Sequence, residues 1–164
     1  MKSIKAYPYT IIRCALLFSV YTAARPGEIR SAEWAEIHND IWDIPAERMK
    51  MKRRHIVLLS TQARAILDEL RPITGASKWL FPSPRDNSHC MSENGVRVAL
   101  RAIGFTKAQI TPHGFRAMFS TVANEHVMNR DVIERQLAHA EGNSVRGAYN
   151  HAEYLPERVK LMQW

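Results

Sequence analysis

The sequence has few cysteines and no long apolar run. Only Cys14 and Cys90 occur in 164 residues, and they form no metal-ligand spacing. We therefore predict free, reduced thiols and a cytoplasmic protein. No stretch approaches the roughly 18 apolar residues of a membrane-spanning helix. The apolar segment at residues 10–23 is interrupted by Arg13, has no cleavage site at its end, and is predicted to be a buried helix.

Acidic residues are fewer than basic residues. The chain has 23 Lys+Arg against 16 Asp+Glu, which gives a net charge of +7 and a pI near 9.7. Such a balance favours a polyanionic partner, with nucleic acid first and a membrane surface a distant second. The acidic residues are not clustered as metal ligands, so a metal-dependent nuclease is the least favoured class. With no repeat and no low-complexity tract, the length fits one globular domain.

Hydrophobic periodicity predicts an α+β fold that is mostly α-helical with one small antiparallel sheet. Residues 9–22 have helical spacing, and Pro26 suits the first position of a short second helix. Segments 40–44 and 55–59 are rich in β-branched and aliphatic residues and predict a hairpin. Residues 71–91, punctuated by Pro, Gly and Ser, predict a long loop. The predicted N-caps of later helices are Ser60 or Thr61, Ser92, and Asn129.

The segment TPHGFR contains two potential cations three residues apart, His113 and Arg116. Residues at this spacing share one face of a helix, where like charges repel. An anionic ligand between them would explain the pair, although solvent exposure would also make it harmless. Phe115 and Met118 are predicted to turn toward the core.

Other cations stand where a phosphate could bind. Arg25 precedes Pro26, which disfavours helical geometry, so Arg25 should lie just ahead of a helix N-terminus. Residues 48–54 predict a hairpin tip that either is simply solvated or enters a DNA groove. The cations of this tip, our predicted DNA contacts together with Lys50, are Arg48, Lys52, Arg53 and Arg54.

Taken singly, each of these residues has an ordinary structural explanation, as do His139 at a helix end and Tyr149 after it. Taken in order, they form the pattern Arg, Lys, His-x-x-Arg, His, Tyr. This pattern, carried by TAARPGEIR, KMKRRHIVL, HGFR, LAH and a later tyrosine, resembles the tyrosine recombinase (phage integrase) family. The likeness is greatest to integrases of prophages and genomic islands, and it extends from about Leu16 to the end of the chain.

The resemblance implies roles for individual residues. The residues that it assigns to catalysis are Arg25, Lys50, His113, Arg116, His139 and Tyr149, with Tyr149 as the nucleophile. Lys52 replaces Lys50 if the hairpin register shifts, and Tyr154 is the alternative to Tyr149. Glu28 matches the acidic residue that follows the first arginine. Leu58 stands where family members usually have proline.

The resemblance also implies an activity and partners. We expect site-specific recombination through a 3′-phosphotyrosyl intermediate, without metal, ATP or another cofactor. The expected partners are double-stranded attachment sites, three further copies in a tetramer on DNA, DNA-bending accessory proteins and an excisionase, in the bacterial nucleoid. Residues 1–164 would be the catalytic domain, with core-binding and arm-binding domains upstream.

Two other functions share part of this pattern. A type IB topoisomerase uses the same chemistry but relaxes DNA without exchanging partners. A catalytically inactive DNA-binding module would retain the basic surface and never become covalently attached to DNA. Relaxation of a plasmid without a specific site would indicate the first, and absence of covalent capture would indicate the second.

Overall fold

The computed structural model describes residues 1–126, 128–139 and 153–164. These ranges contain eight α-helices and one small sheet. The α-helices are α1 (Lys2–Lys5), α2 (Thr10–Thr22), α3 (Pro26–Arg30), α4 (Thr61–Thr74), α5 (Gly95–Ala102), α6 (Gly114–Glu125), α7 (Arg130–Gln136) and α8 (Leu155–Gln163). Short 3-10 helices span Trp34–Glu36 and Ala46–Arg48.

The sheet has three antiparallel strands in the order β1 (Ile37–His38), β2 (Ile41–Ile44) and β3 (His55–Leu58). In the β2–β3 pair, Trp42 lies opposite Val57. Both side chains are buried, which fits the alternation expected of a strand with one face on the core. The predicted hairpin is confirmed, whereas the two-residue strand β1 is too short to give a sequence signal.

Helix α2 lies at the centre of the larger of two hydrophobic clusters. Its Phe18 packs against Trp42 and Phe81, with ring centroids 5.4 Å and 5.8 Å away. Ser19 is buried on the same helix, and its hydroxyl donates to the carbonyl of Ala15 at 2.7 Å. The buried polar group is thereby satisfied within the helix.

A smaller cluster joins the C-terminal end of α2 to α6, α7 and α8. Its buried members are Ala23, Ala123, Val132, Ile133, Leu137 and Leu161. Ala138, the next residue after Leu137, instead packs against the larger cluster. The chain that leaves α7 therefore runs between the two clusters.

Two of the predicted helix starts are confirmed. The hydroxyl of Ser60 accepts from the amide of Ala63 at 3.2 Å at the start of α4. The side chain of Asn129 likewise accepts from the amide of Asp131 at the start of α7. Both are N-caps in the usual sense, since each side chain satisfies an amide of the first turn.

Three local predictions are wrong. Helix α5 is capped at Asn94 rather than at Ser92. Helix α4 continues to Thr74, because the indole of Trp34 donates to the Thr74 carbonyl at 2.9 Å and packs beside the last turn. Met118 is exposed, while Phe115 is buried as predicted.

Within the described ranges, each helix is too short or too polar to cross a membrane.

Candidate active site

Arg25 lies directly ahead of α3 in the extended conformation that Pro26 imposes (φ −70°, ψ 145°). The carboxylate of Glu28 accepts from both the main-chain amide of Arg25 (2.9 Å) and its Nη1 (2.8 Å). Glu28 is buried, so the pair is shielded from water. The other terminal nitrogen, Nη2, donates to the carbonyl of Ala138 at 3.1 Å. The predicted position of Arg25 is confirmed, and Glu28 orients its guanidinium.

Arg116 extends from the first turn of α6 and joins two distant helix ends. Its Nη1 donates to the carbonyl of Ala23, at the C-terminal end of α2, at 3.0 Å. Its Nη2 donates to the carbonyl of Leu137, at the C-terminal end of α7. Helix C-termini carry partial negative charge, so both ends stabilise the guanidinium.

The two guanidiniums are electrostatic neighbours, although Arg25 and Arg116 are far apart in sequence. Burial, and after it the positive charge of Arg25, lowers the pKa of Arg116 to about 10, although Glu28 and Glu134 act in the opposite direction. Arg116 therefore remains charged at neutral pH. Each guanidinium has five N–H donors and spends only some of them on the protein. The remaining donors can bind an anion.

His113 is the N-cap residue of α6, one position ahead of the helix in which it was predicted. It keeps helical backbone angles (φ −71°, ψ −23°), and its carbonyl accepts from the amide of Arg116. The one-turn separation from Arg116 is therefore retained. The His113 side chain is exposed, and its ring has no hydrogen-bond partner among the described residues.

His139 follows α7 and is exposed. Its Nδ1 lies 2.6 Å from a carboxylate oxygen of Glu134, and its amide donates to the carbonyl of the same residue. Because Glu134 occupies Nδ1, Nε2 is the ring nitrogen that remains available to a ligand.

Lys50 lies in the turn between β2 and β3, beside the buried Met49. Lys50 is exposed, and its ammonium group makes no hydrogen bond or ion pair with the described residues. Lys52 has left-handed backbone (φ 50°), and its ammonium donates to the carbonyl of Glu47 at 3.1 Å. This difference favours Lys50 as the lysine that reaches a ligand.

Arg48 has a structural role that its sequence context does not reveal. It pairs with Glu36, and its Nη2 donates to the Glu28 carbonyl and to the Ser31 hydroxyl, both at 3.0 Å. With its guanidinium directed inward, Arg48 joins the sheet to α3 and is not retained as a DNA contact.

The remaining arginines of the hairpin differ from each other. Arg54 makes a two-pronged pair with Asp43 across the hairpin, at 2.7 Å and 2.5 Å. Arg53 is exposed, with no partner among the described residues. Arg53 is therefore the arginine of this turn most accessible to an external anion.

Tyr149 lies outside the described residues. The alternative nucleophile, Tyr154, is the N-cap residue of α8, has left-handed backbone (φ 49°) and packs against the smaller hydrophobic cluster. The described structure thus gives Tyr154 a packing role at the start of a helix.

Several residues of the site give no signal in the sequence. His55 on β3 is buried, and its Nε2 lies 3.1 Å from the carbonyl of Gln136. Arg158 of α8 is fully buried, and its Nε donates to the Gln136 side-chain oxygen at 2.9 Å. An arginine on a short terminal helix is expected to face solvent, so only the packing of α8 reveals its role.

In the described ranges, no three His, Cys, Asp or Glu side chains come together in a way that could hold a metal ion. The two neighbouring guanidiniums of Arg25 and Arg116 favour an anion as the ligand of this site.

Comparison with known proteins defines the class. The profile of the phage integrase family matches residues 2–155, and the chain belongs to this family. It is 44% identical to an integrase of Enterobacteria phage P4 over 169 aligned residues, which cover 93% of the chain and 38% of that protein. The chain thus spans about two fifths of the length of this curated relative.

Solved structures confirm the predicted fold class. The XerA recombinase has a TM-score of 0.71 at 18% identity, covering 96% of this chain and 62% of that one. A lambda integrase tetramer bound to a Holliday junction has a TM-score of 0.65 at 17% identity, and the match covers 86% of this chain and 44% of the integrase chain. At these identities the similarity shows the fold alone.

Proposed function

We propose that this chain is the catalytic domain of an integrase that cuts and rejoins DNA through a 3′-phosphotyrosyl intermediate. One observation carries the proposal. Arg25 and Arg116, far apart in sequence, present adjacent guanidiniums at the end of α7, each held by main-chain carbonyls. Two planar donors at one site suit the oxygens of a phosphodiester.

The proposed nucleophile is Tyr149. Its phenolic oxygen attacks the scissile phosphorus, a new P–O bond to tyrosine forms, and the bond from phosphorus to the 5′ oxygen breaks. A tyrosine has a pKa near 10, so a base must accept its proton as it attacks. His113, exposed one turn from Arg116, is the proposed base. The reverse reaction with a new 5′ hydroxyl rejoins DNA without an external energy source.

Negative charge grows on the non-bridging oxygens during this step. Arg25 and Arg116 are already oriented before DNA arrives, so their donors can stabilise this charge without reorganisation. Nε2 of His139 adds a further contact to the same oxygens, with the ring oriented by Glu134. Lys50 at the hairpin turn donates the proton that the departing 5′ oxygen needs.

The proposed substrate is double-stranded DNA at an attachment site. Lys50, Lys52 and Arg53 are exposed on the hairpin and would contact the phosphate backbone, with Arg54 adding charge beside them. We propose that the full protein adds core-binding and arm-binding domains and forms a tetramer on DNA. DNA-bending proteins and an excisionase would act with it on the bacterial chromosome in the nucleoid.

Covalent capture tests the proposal. The full-length gene product is mixed with labelled DNA that spans the junction of its mobile element and carries a nick beside the exchange point. We expect a protein–DNA adduct on a denaturing gel, formed equally well with a chelator, and peptide mapping should place the nucleotide on Tyr149. Binding without an adduct would indicate an inactive module, and cleavage lost in chelator would indicate a metal-dependent nuclease. Relaxation of a plasmid that lacks the site would indicate a topoisomerase.

A further inference from the structure

Three consecutive carbonyls at the end of α7 bind three residues of the site region. The carbonyl of Gln136 lies 3.1 Å from Nε2 of His55. The carbonyl of Leu137 accepts from Arg116, and that of Ala138 accepts from Arg25 at 3.1 Å. The donors come from β3, α6 and the residue ahead of α3. The end of α7 is therefore the common support of both guanidiniums.

His55 anchors the first of these carbonyls. A carbonyl oxygen only accepts hydrogen bonds, so Nε2 of His55 must carry the proton in this contact. His55 is buried and belongs to β3, whose ladder with β2 fixes its backbone opposite Ile44. The contact thus ties the end of α7 to the sheet.

A second set of hydrogen bonds, made through the side chain of Gln136, also links this residue to the sheet. Arg158 of α8 donates through Nε to the side-chain oxygen of Gln136 and through Nη2 to the carbonyl of Ile56, next to His55. Gln136 is itself buried. The main chain and side chain of Gln136 are therefore each linked to β3.

The surroundings explain why the anchoring donor is neutral. Arg25, Arg116 and Arg158 all lie close enough to oppose a further positive charge, and burial opposes it more strongly. Together these effects lower the pKa of His55 from 6.5 to about 3, with only the hydrogen bond to Gln136 acting in the other direction. An imidazole supplies an N–H donor here without a charge, which neither lysine nor arginine could do.

We propose that His55 is a positioning residue of the strand-cleavage site. By holding the Gln136 carbonyl, it fixes the next two carbonyls of the chain, and these fix the spacing of Arg116 and Arg25. The inference rests on the proposed function, because the spacing of the two guanidiniums matters for a scissile phosphate. His55 itself does not contact the DNA.

Two variants with the same amide group but different side-chain lengths test whether the hydrogen bond from residue 55 to the Gln136 carbonyl is needed. In His55→Gln the side-chain amide extends to the position of Nε2 and can still donate to Gln136, whereas in His55→Asn it is too short. A third variant, Val57→Ala, truncates a buried residue on the same strand and serves as the control for general loss of packing. The full-length protein and the nicked substrate described above are used throughout.

We expect His55→Asn to lower the single-turnover rate of covalent capture by about tenfold or more, since a small misplacement of a catalytic group is enough for such a loss. The Kd for DNA should change less than about twofold, because the exposed hairpin cations Lys50, Lys52 and Arg53, which would contact the phosphate backbone, are unchanged. His55→Gln should recover most of the rate, and Val57→Ala should leave it nearly unchanged. A rate for His55→Asn no lower than that of Val57→Ala, or no recovery in His55→Gln, would overturn the proposal. If His55→Asn does not fold by circular dichroism, His55→Leu takes its place.

Side-chain NMR separates this inference from the proposed function. In the DNA-free protein, the Nε–H signals of Arg25 and Arg116 should be ordered in the wild type and in His55→Gln, and broadened or shifted in His55→Asn. Unchanged signals in His55→Asn would overturn the positioning role even if the protein cleaves DNA. If the wild type forms no adduct, the proposed function fails, and these signals alone decide whether His55 orders the arginines.

Discussion

The guanidinium of Arg116 donates to the carbonyl oxygen of Ala23 across 3.0 Å, although 93 residues separate them. Ala23 has left-handed backbone (φ 52°) as the C-cap of α2, and this turn exposes its carbonyl beyond the helix end. Ala138, whose carbonyl binds Arg25, has the same left-handed geometry (φ 48°). Each site arginine thus binds the carbonyl of an alanine at a helix end, and each of these alanines has left-handed backbone angles, which are unfavourable for a residue with a Cβ atom.

Removal of the Tyr149 hydroxyl should abolish covalent capture. Tyr149→Phe deletes only the proposed nucleophilic oxygen, so we expect no adduct on a denaturing gel while the melting temperature and the Kd for DNA stay close to wild type. Tyr154→Phe is the matched variant and should still form the adduct. The opposite result for the pair would assign the nucleophile to Tyr154.

The second prediction concerns the bridge that Arg116 makes. An ammonium group cannot donate to Ala23 and Leu137 while also binding a phosphate in two places, so Arg116→Lys should slow cleavage roughly 10²–10³-fold. DNA affinity in a gel-shift titration should fall much less. Arg13→Lys is the control, since Arg13 also bonds a carbonyl and a carboxylate but lies outside the site. Equal losses of affinity and rate would indicate simple phosphate anchoring.

A sulfur leaving group distinguishes the lysines of the hairpin. Lys50→Ala should block cleavage at a normal 5′ oxygen and be rescued on DNA with a 5′ bridging sulfur, which leaves without a proton. Arg53→Ala should weaken binding and reduce its salt dependence without such rescue. Rescue of Lys52→Ala in place of Lys50→Ala would shift the general acid by two residues, and rescue of neither would remove this role from the hairpin.

Burial of neutral His55 should make the fold sensitive to acid. The pKa of His55 falls from 6.5 to about 3 on folding, through burial and then the charge of Arg158. The unfolded chain binds this proton first, so stability is full above pH 6.5 and is lost as the pH falls toward 3. Between pH 7 and pH 4 this loss is roughly 3 kcal/mol. Urea titrations should show a smaller decrease for His55→Gln than for wild type, since other groups contribute equally to both; equal decreases would contradict the assignment.

The left-handed alanine at the end of α7 predicts a stabilising substitution. Glycine adopts φ near 48° without the steric cost that alanine has, so Ala138→Gly should raise the free energy of unfolding by roughly 0.5–1 kcal/mol. Ala123→Gly, in the buried interior of α6, should lower it by about 1 kcal/mol. Chemical denaturation of both variants measures this contrast, and a loss of stability in Ala138→Gly would contradict it.

Local chemistry in the sequence determined much of the fold. Pro26 sets the geometry of Arg25, the side chains of Ser60 and Asn129 cap α4 and α7, and the two aliphatic segments pair as β2 and β3. The proline and the caps act between residues a few positions apart, and the strands are neighbours along the chain, so these signals can be read without the tertiary structure. The spacing of His113 and Arg116 belongs to the same class.

Contacts between distant segments decided the rest. The carbonyls that hold the two site arginines belong to Ala23, Leu137 and Ala138, and a main-chain carbonyl looks the same in every sequence. The inward direction of Arg48 and the burial of Arg158 depend on partners many residues away. The order of residue types along the chain therefore indicated which groups could act on a phosphate. Only the packing of α7 in the smaller hydrophobic cluster, with Ala138 against the larger one, determined which backbone atoms hold those groups in place. Hydrogen bonding at a helix end depends on the side chains that reach it.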